Sequence, residues 1–324
     1  MGMERLSDAI GVYVSVSYVV AVYLASKNVN DFKIRRNDPN VIKARMKSVT
    51  LVTLLNLIMI PLVLKYLNGD EIKNTLLRFG LVPGFLNNPK TGLPEWIPRG
   101  YFKDVVSHMK LAAILYTSPL IDSFLHYCFM PDKSWNDMFK DIIYEFSNIW
   151  GFRDYIFGPV TEELFYTSMI LVCYLRLCHN STIHDANYLK FVVPNLFGFA
   201  HLHHAYEQYT LGMMNFINIV FVTLLQMTYT WLFGSFTNHL FLNSAGNLLS
   251  CILIHTFCNF MGLPQGNSFS KSYSILPEGK KSRLGTLASL IWRLLYLPTL
   301  IITIVAFKNN FSSLTRSGSF PALI

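Results

Sequence analysis

Residues 158–168 read GPVTEELFYTS, and the apolar run MILVCYL (169–175) follows at once. Whether this stretch lies in a bilayer decides the fold. A carboxylate in hydrocarbon costs ~2.5 kcal/mol or more on insertion scales, yet Glu162 and Glu163 stand here side by side. Other groups at the same depth must offset that cost, and the rest of the chain shows where they come from.

Of 324 residues, 52% are hydrophobic and only 14% charged, whereas a soluble domain carries about 25% charged residues. A bilayer-crossing helix needs roughly 20 apolar residues. Such windows recur at 6–25, 49–67, 105–130, 156–177, 189–206, 213–234, 248–263 and 287–307. About eight spans predict an all-α polytopic membrane protein, a single bundle with no room for a sizeable soluble domain. The first window is longer than the apolar core of a signal peptide and lacks a small-x-small cleavage site, so it is expected to stay as a helix. The five cysteines (Cys128, Cys173, Cys178, Cys251 and Cys258) fall in apolar windows without a CxxC pair. Neither a disulfide framework nor a zinc knuckle is indicated.

The net charge of +8 is concentrated locally: residues 27–47 are crowded with Lys and Arg and contain only Asp31 and Asp38 as acids. Between two strong spans this pattern follows the positive-inside rule, which places the loop in the cytoplasm. The competing reading, a patch for anionic lipid or nucleic acid, is weaker there, and no nucleic-acid partner is expected. No internal repeat or long polar linker divides residues 1–324, which read as one domain. The connection 68–104, rich in Pro and Gly, suits an irregular or interfacial loop, with Trp96 and Tyr101 as headgroup anchors. The connection 264–286 carries Lys271, Lys280, Lys281 and Arg283, again a cytoplasmic signature.

Three stretches bring ionisable groups to membrane depth: Glu162 and Glu163; LFGFAHLHHAYEQ (196–208), with His201, His203, His204 and Glu207; and CILIHTFCNFMG (251–262), with His255 and Asn259. Ionisable residues in spans face the bundle interior or a wet cavity and mark function by default. His255 and Asn259 are four apart, so on a helix they project from one face about 6 Å apart. Glu162 and Tyr166 share that spacing. Glu162 and Glu163, by contrast, point roughly 100° apart, so one is expected to face the reaction and the other to anchor a neighbouring helix. A carboxylate and an imidazole can activate water and return a proton to a leaving amine. A second imidazole with a carboxamide can donate to a developing oxyanion, each donor giving about 3–4 kcal/mol. These parts suit amide hydrolysis without a covalent intermediate. Each also has a structural alternative. A lone His or Asn often bonds a neighbouring helix, Glu163 could pair with Arg153 or Arg176, and His203 and His204 could lie at the interface. Their co-occurrence in one chain favours chemistry.

In these residues the sequence resembles the glutamate-dependent intramembrane CAAX proteases. The family pattern is Glu-Glu, then Phe-x-x-x-His, then His-x-x-x-Asn, and the chain has EELFYT from Glu162, FGFAH (197–201) and HTFCN (255–259). The resemblance implies an endoplasmic-reticulum, multi-pass endopeptidase whose site opens toward the cytoplasm. Its substrates would be prenylated CAAX proteins, Ras-like GTPases and prenylated pheromone-type precursors among them. It would remove the C-terminal tripeptide after the prenyl-cysteine. It also implies that Glu162 and His201 activate water and that His255 and Asn259 form the oxyanion hole, with Glu163 supporting. The catalytic core then falls at about 104–263, and neither cofactor nor metal is required. The family's first motif commonly ends in Arg where Thr167 stands here, which leaves Arg153 or Arg176 to support Glu163 if support is needed. A prenyl tail, at ~0.8 kcal/mol per buried methylene, would reach a site between helices laterally from the bilayer.

Three rival readings remain at this level. HLHH (201–204) with two Glu residues could ligate zinc, although no HExxH is present. Cys258, three residues from His255, could act as a nucleophile, although a buried Cys is usually inert. A transporter or scaffold could use the same polar groups to bind a ligand.

Overall fold

A computed structural model describes residues 2–25, 37–178, 185–212, 214–263 and 266–324. The basic segment 27–36, on which much of the charge argument rests, lies outside the described residues. The chain runs through α1 (Gly2–Leu24), α2 (Pro39–Asn68), α3 (Ile72–Arg78), the antiparallel pair β1 (Phe85–Asn87) and β2 (Pro94–Trp96), α4 (Pro98–Leu115), α5 (Thr117–Phe129) and α6 (Trp135–Ser147). It continues through α7 (Ile149–Leu177), α8 (Asn195–Ala200), α9 (Leu202–Leu211), α10 (Phe216–Asn243), α11 (Leu248–Met261), α12 (Ser268–Ser274) and α13 (Arg283–Thr315). The protein is an all-α polytopic membrane protein.

Five of these helices, α1, α2, α7, α10 and α13, are long and apolar enough to cross a membrane, and α11 is a shorter apolar helix. Two expected spans are broken for local reasons. Window 105–130 is divided between α4 and α5 at Tyr116, because Pro119 has no N–H for the Leu115 carbonyl and its ring crowds that oxygen. Window 189–206 is cut at Pro194 and again at His201, which joins α8 to α9. The long helices are closed by chemistry readable in the chain. The Asp38 side chain accepts from the Asn40 N–H with Pro39 opening α2, and Gly69, at φ 72°, ends it.

Burial ranks the spans. About 72% of the apolar window of α7 is buried, against 11% for α10 and 17% for α13, so α7 is the axis of the bundle and the other two present broad faces to lipid. α1, α2, α10 and α11 all pack against α7. The core gathers Leu164, Phe165, Met169 and Ile170 of α7 with Leu64, Phe79, Phe241 and Cys251. The connection 68–104 is more ordered than expected, holding α3 and the hairpin. The Trp96 ring lies over Gly84, where a Cβ would come within 2.5 Å of it. Trp96 is exposed, as an interfacial anchor would be, but Tyr101 is fully buried. Tyr101 belongs to the core around Leu86 and Val105, not to the headgroup layer.

Candidate active site

The site begins with a flaw in α7. Over Phe152–Phe157 the helix widens into π-helical turns, and the Gly158 N–H reaches the Arg153 carbonyl. Pro159, one residue on, has no N–H for the carbonyls of Asp154 or Tyr155. Both are satisfied from α11 instead: Thr256 Oγ1 donates to Tyr155 O at 2.7 Å and Asn259 Nδ2 donates to Asp154 O at 3.0 Å. These bonds fix the register of α11 against α7 and bring His255 beside the two glutamates.

α7 widens a second time over Glu163–Met169. Glu163 is 1% exposed and accepts from His255 Nδ1 at 2.8 Å. Its other oxygen accepts from Thr167 Oγ1 at 2.7 Å, and Thr167 meets Thr237 Oγ1 of α10 at 3.0 Å. The buried carboxylate is therefore bonded on both oxygens, which removes most of the cost of its burial. Glu162 comes within 3.7 Å of the other imidazole nitrogen, Nε2. Adjacent residues thus reach one ring, because its two nitrogens face different ways and bridge the angle between the side chains.

A cavity of about 1120 Å³ opens beside this pair. Glu162, His201, His255 and Asn259 all line it, as do Tyr18 of α1, Arg45 of α2 and Phe307 of α13. Glu162, with its side chain 24% exposed, faces the cavity, whereas Glu163 lies behind its wall. His201 Nδ1 donates to the Phe197 carbonyl at 2.9 Å, which leaves Nε2 as its working atom. His255 Nδ1 donates to Glu163, with the same consequence. Phe197 accounts for the spacing of its motif. Its ring stacks on Tyr166 at 4.7 Å and presents to His201 at 5.2 Å and to His255 at 6.3 Å, between the two imidazoles.

A polar arm extends from His201 toward α2. The His203 and His204 rings lie 3.9 Å apart. His204 Nδ1 is 3.6 Å from Glu207, which also pairs with Arg45 at 2.9 Å. Burial acts to raise the Glu207 carboxyl, but the neighbouring His204 imidazole and the Arg45 guanidinium outweigh it and hold its pKa at about 2.

The expected set thus meets in one cavity, with two revisions. Neither Arg153 nor Arg176 supports Glu163: Arg153 forks onto Asp154 and Arg176 onto Asp70. Thr167, at the position where the family commonly has Arg, does so with a neutral hydroxyl. One Asn259 N–H is already held by Asp154 O, so the second is the one that can face a ligand. Cys258 lines the cavity with Tyr116 as its hydrogen-bonding neighbour. Among the described residues, no three His, Cys, Asp or Glu side chains form a metal-holding group. Sequence reasoning did not find Tyr18, whose hydroxyl meets Thr161 Oγ1 at 3.1 Å next to Glu162, nor Thr237 or Arg45. The i,i+4 spacing of Glu163 and Thr167 was the one available signal.

These features define a class: a polytopic helical membrane protein with carboxylates and imidazoles gathered around a cavity between its helices. The family model for type II CAAX prenyl endopeptidase, Rce1-like, matches residues 145–261, the segment carrying both glutamates and both motif histidines. The chain is 34% identical to CAAX prenyl protease 2 of Saccharomyces cerevisiae over 317 residues, 95% of either chain. It is 30% identical to the probable CAAX prenyl protease 2 of Schizosaccharomyces pombe, over 79% of this chain and 80% of that one. It is 28% identical to CAAX prenyl protease 2 of Homo sapiens, over 75% and 68%. No solved structure matches the chain at a significant level. The chain belongs to the Rce1-like type II CAAX prenyl endopeptidases and is a hydrolase of peptide bonds.

Proposed function

We propose that the protein removes the C-terminal tripeptide from farnesylated or geranylgeranylated CAAX proteins, with Glu162 and His201 activating the attacking water and no metal taking part. The observation that carries this reading is the convergence of Glu162, His201, His255 and Asn259, from three separate helical segments, on one cavity. Water held between the Glu162 carboxylate and His201 Nε2 gives its proton to Glu162 as it attacks the scissile carbonyl. The developing oxyanion is met by the second Asn259 N–H and by His255. Since Nδ1 of His255 donates to Glu163, the imidazole must hold a proton on each nitrogen to offer one from Nε2, and it sits between two carboxylates that match that charge. The proton on Glu162 then passes to the leaving amine. Glu163 holds His255 in place and does not face the cavity.

The apolar wall, with Leu232, Phe233, Phe236 and Phe307, suits a prenyl chain entering from the bilayer. Orientation of the site toward the cytoplasm is supported by the basic residues 27–47, since Arg45 at the cavity stands on that side, and placement in the endoplasmic-reticulum membrane follows from the family resemblance. Prenylated Ras-like GTPases and pheromone-type precursors are the substrates this chemistry suits.

The test is cleavage of a farnesylated CAAX peptide by purified protein. Wild type is expected to release the tripeptide, unaffected by exhaustive metal chelation. Glu162→Gln is expected to lower kcat about 10²–10⁴-fold. Unchanged cleavage by Glu162→Gln, or activity lost on chelation and restored by zinc, would reject the mechanism.

A further inference from the structure

We propose that α6 is a membrane-surface helix whose Trp135, Phe139 and Ile143 insert among lipid chains on the side where α7 begins, and that it sets the level at which the cavity rim meets the bilayer. The partner is the lipid surface itself, so the proposal stands apart from the reaction proposed above.

The sequence of α6 separates two faces. At about 100° per residue, Trp135, Met138, Phe139, Ile142, Ile143 and Phe146 fall within an arc of roughly 140°. Asn136, Asp137, Lys140, Asp141 and Glu145 take the rest of the circle, with Tyr144 among them. No residue of the helix is buried. Met138, Ile142 and Phe146, along one edge of the apolar arc, are partly covered by protein, whereas Trp135, Phe139 and Ile143 are 43%, 58% and 66% exposed. Phe124 of α5, itself exposed, meets the Trp135 ring at 4.9 Å and extends the same apolar surface.

The depth of α6 identifies what covers this face. The helix ends at Ser147 and the membrane-crossing α7 begins at Ile149, so α6 stands at the level where the chain enters the bilayer. Asn148 makes the corner. Its Nδ2 donates to the Tyr144 carbonyl at 2.8 Å and its Oδ1 accepts from the Gly151 N–H at 2.8 Å, closing one helix and opening the next. A Cβ on Gly151 would collide with the Glu145 carbonyl, so glycine there lets α6 fold tightly against α7. The Phe146 ring packs 5.3 Å from Tyr155 and 5.4 Å from Phe260. Tyr155 lines the cavity, and so does Leu263, three residues beyond Phe260 and exposed at the rim. An apolar stripe at a bilayer surface inserts about 5–10 Å with its polar side toward water, and Trp favours the headgroup level. Asp137, Asp141 and Glu145 outnumber Lys140, so α6 has no net attraction to anionic headgroups and its insertion rests on apolar area.

Nitroxide labels on the full chain in phosphatidylcholine vesicles test this. The background is Cys128→Ser with Cys258→Ala, which removes the two cysteines that are not buried. Labels go on Phe139→Cys and Ile143→Cys for the apolar face and on Asn136→Cys and Lys140→Cys for the polar one. Leu294→Cys, on the exposed face of α13, is the reference for lipid. Collision with oxygen, which partitions into lipid, against collision with a water-soluble nickel chelate reads the depth of each label. Those on Phe139→Cys and Ile143→Cys are expected about 5–10 Å below the phosphates, and those on Asn136→Cys and Lys140→Cys in water. All four positions are exposed, so the labels leave the core intact. Four labels in water, four shielded from both reagents as under a second protein, or four at the depth of Leu294→Cys would each overturn the proposal. So would insertion that appears only when phosphatidylserine is added, since charge would then be its cause. A label on Leu263→Cys reads the rim. Adding Phe139→Asp and Ile143→Asp is expected to move that label toward water, and an unchanged depth would overturn the control of the rim by α6.

Discussion

Two glutamate–histidine pairs each present an imidazole to one cavity, and their surroundings give them different tasks. Glu163 and His255 are joined at 2.8 Å with side chains 1% and 6% exposed; Glu207 and His204 stand 3.6 Å apart, 11% and 13% exposed. The first pair is sealed by Thr167 and Thr237 in the most buried helix of the bundle. Its carboxylate has no access to substrate, so its one effect on the chemistry is to fix a ring. The second pair shares its carboxylate with Arg45 on a short helix beside the spans, where charge, not orientation, is what it contributes. Residue type alone does not separate these roles; the partner of the second carboxylate oxygen does.

Breaking the sealed pair is expected to give the larger effect. Glu163→Gln sets an amide N–H or a neutral oxygen against His255 Nδ1. The expected cost is about 1.5–3 kcal/mol, or roughly 10–100-fold in kcat with KM nearly constant. Steady-state kinetics on a farnesylated peptide would check this. A rise in KM with kcat preserved would move Glu163 out of the positioning role and into substrate binding.

A subtler cut sharpens the same point. Thr167→Val keeps the shape of the side chain and removes one hydrogen bond to Glu163, an expected loss of ~1 kcal/mol, or about fivefold in kcat. Thr167→Ser, which restores the hydroxyl, should recover most of it. If Val and Ser behave alike, the hydroxyl does not support Glu163 and the lost activity is one of packing.

How much of this could be read in advance depends on distance along the chain. Glu162, His201, His255 and Asn259 were legible because each is polar where an apolar residue is expected, and their spacing is local. Thr167 and Thr237 were not, since Thr is unremarkable in an apolar helix and the two meet only when α7 and α10 pack. The π-helical turns around Pro159 left no periodic trace either, although they are what turns Asn259 and Thr256 toward α7. The long helices α2, α10 and α13 stood out by hydropathy. The breaks at Tyr116 and ahead of Asn195 depended on Pro119 and Pro194, which a hydropathy window averages away. Arg45 is 162 residues from Glu207, and nothing in either segment points to the other.

The open pair carries the smallest expected effect, and one whose sign can be worked out. The Glu207 carboxyl is held at about 2 in the folded protein, against about 4.3 in an unfolded chain. A depressed carboxyl contributes stability that is fully present above the unfolded value and is lost as pH falls through the folded one. Glu207→Gln lacks that contribution at every pH. The difference in Tm between wild type and Glu207→Gln should therefore be present at about pH 5, shrink below about 4, and be largely lost by about pH 2. Partial exposure of the pair keeps the difference to a few degrees and makes it sensitive to salt. Thermal melts in detergent across that range would check it, and the Glu163→Gln variant provides the contrast, since its partners are sealed from solvent and salt should not change its deficit. A Glu207→Gln difference that persists unchanged to pH 2 would mean the carboxylate is not held by Arg45 and His204, and the polar arm of the cavity would lose the anchor that keeps Arg45 turned inward.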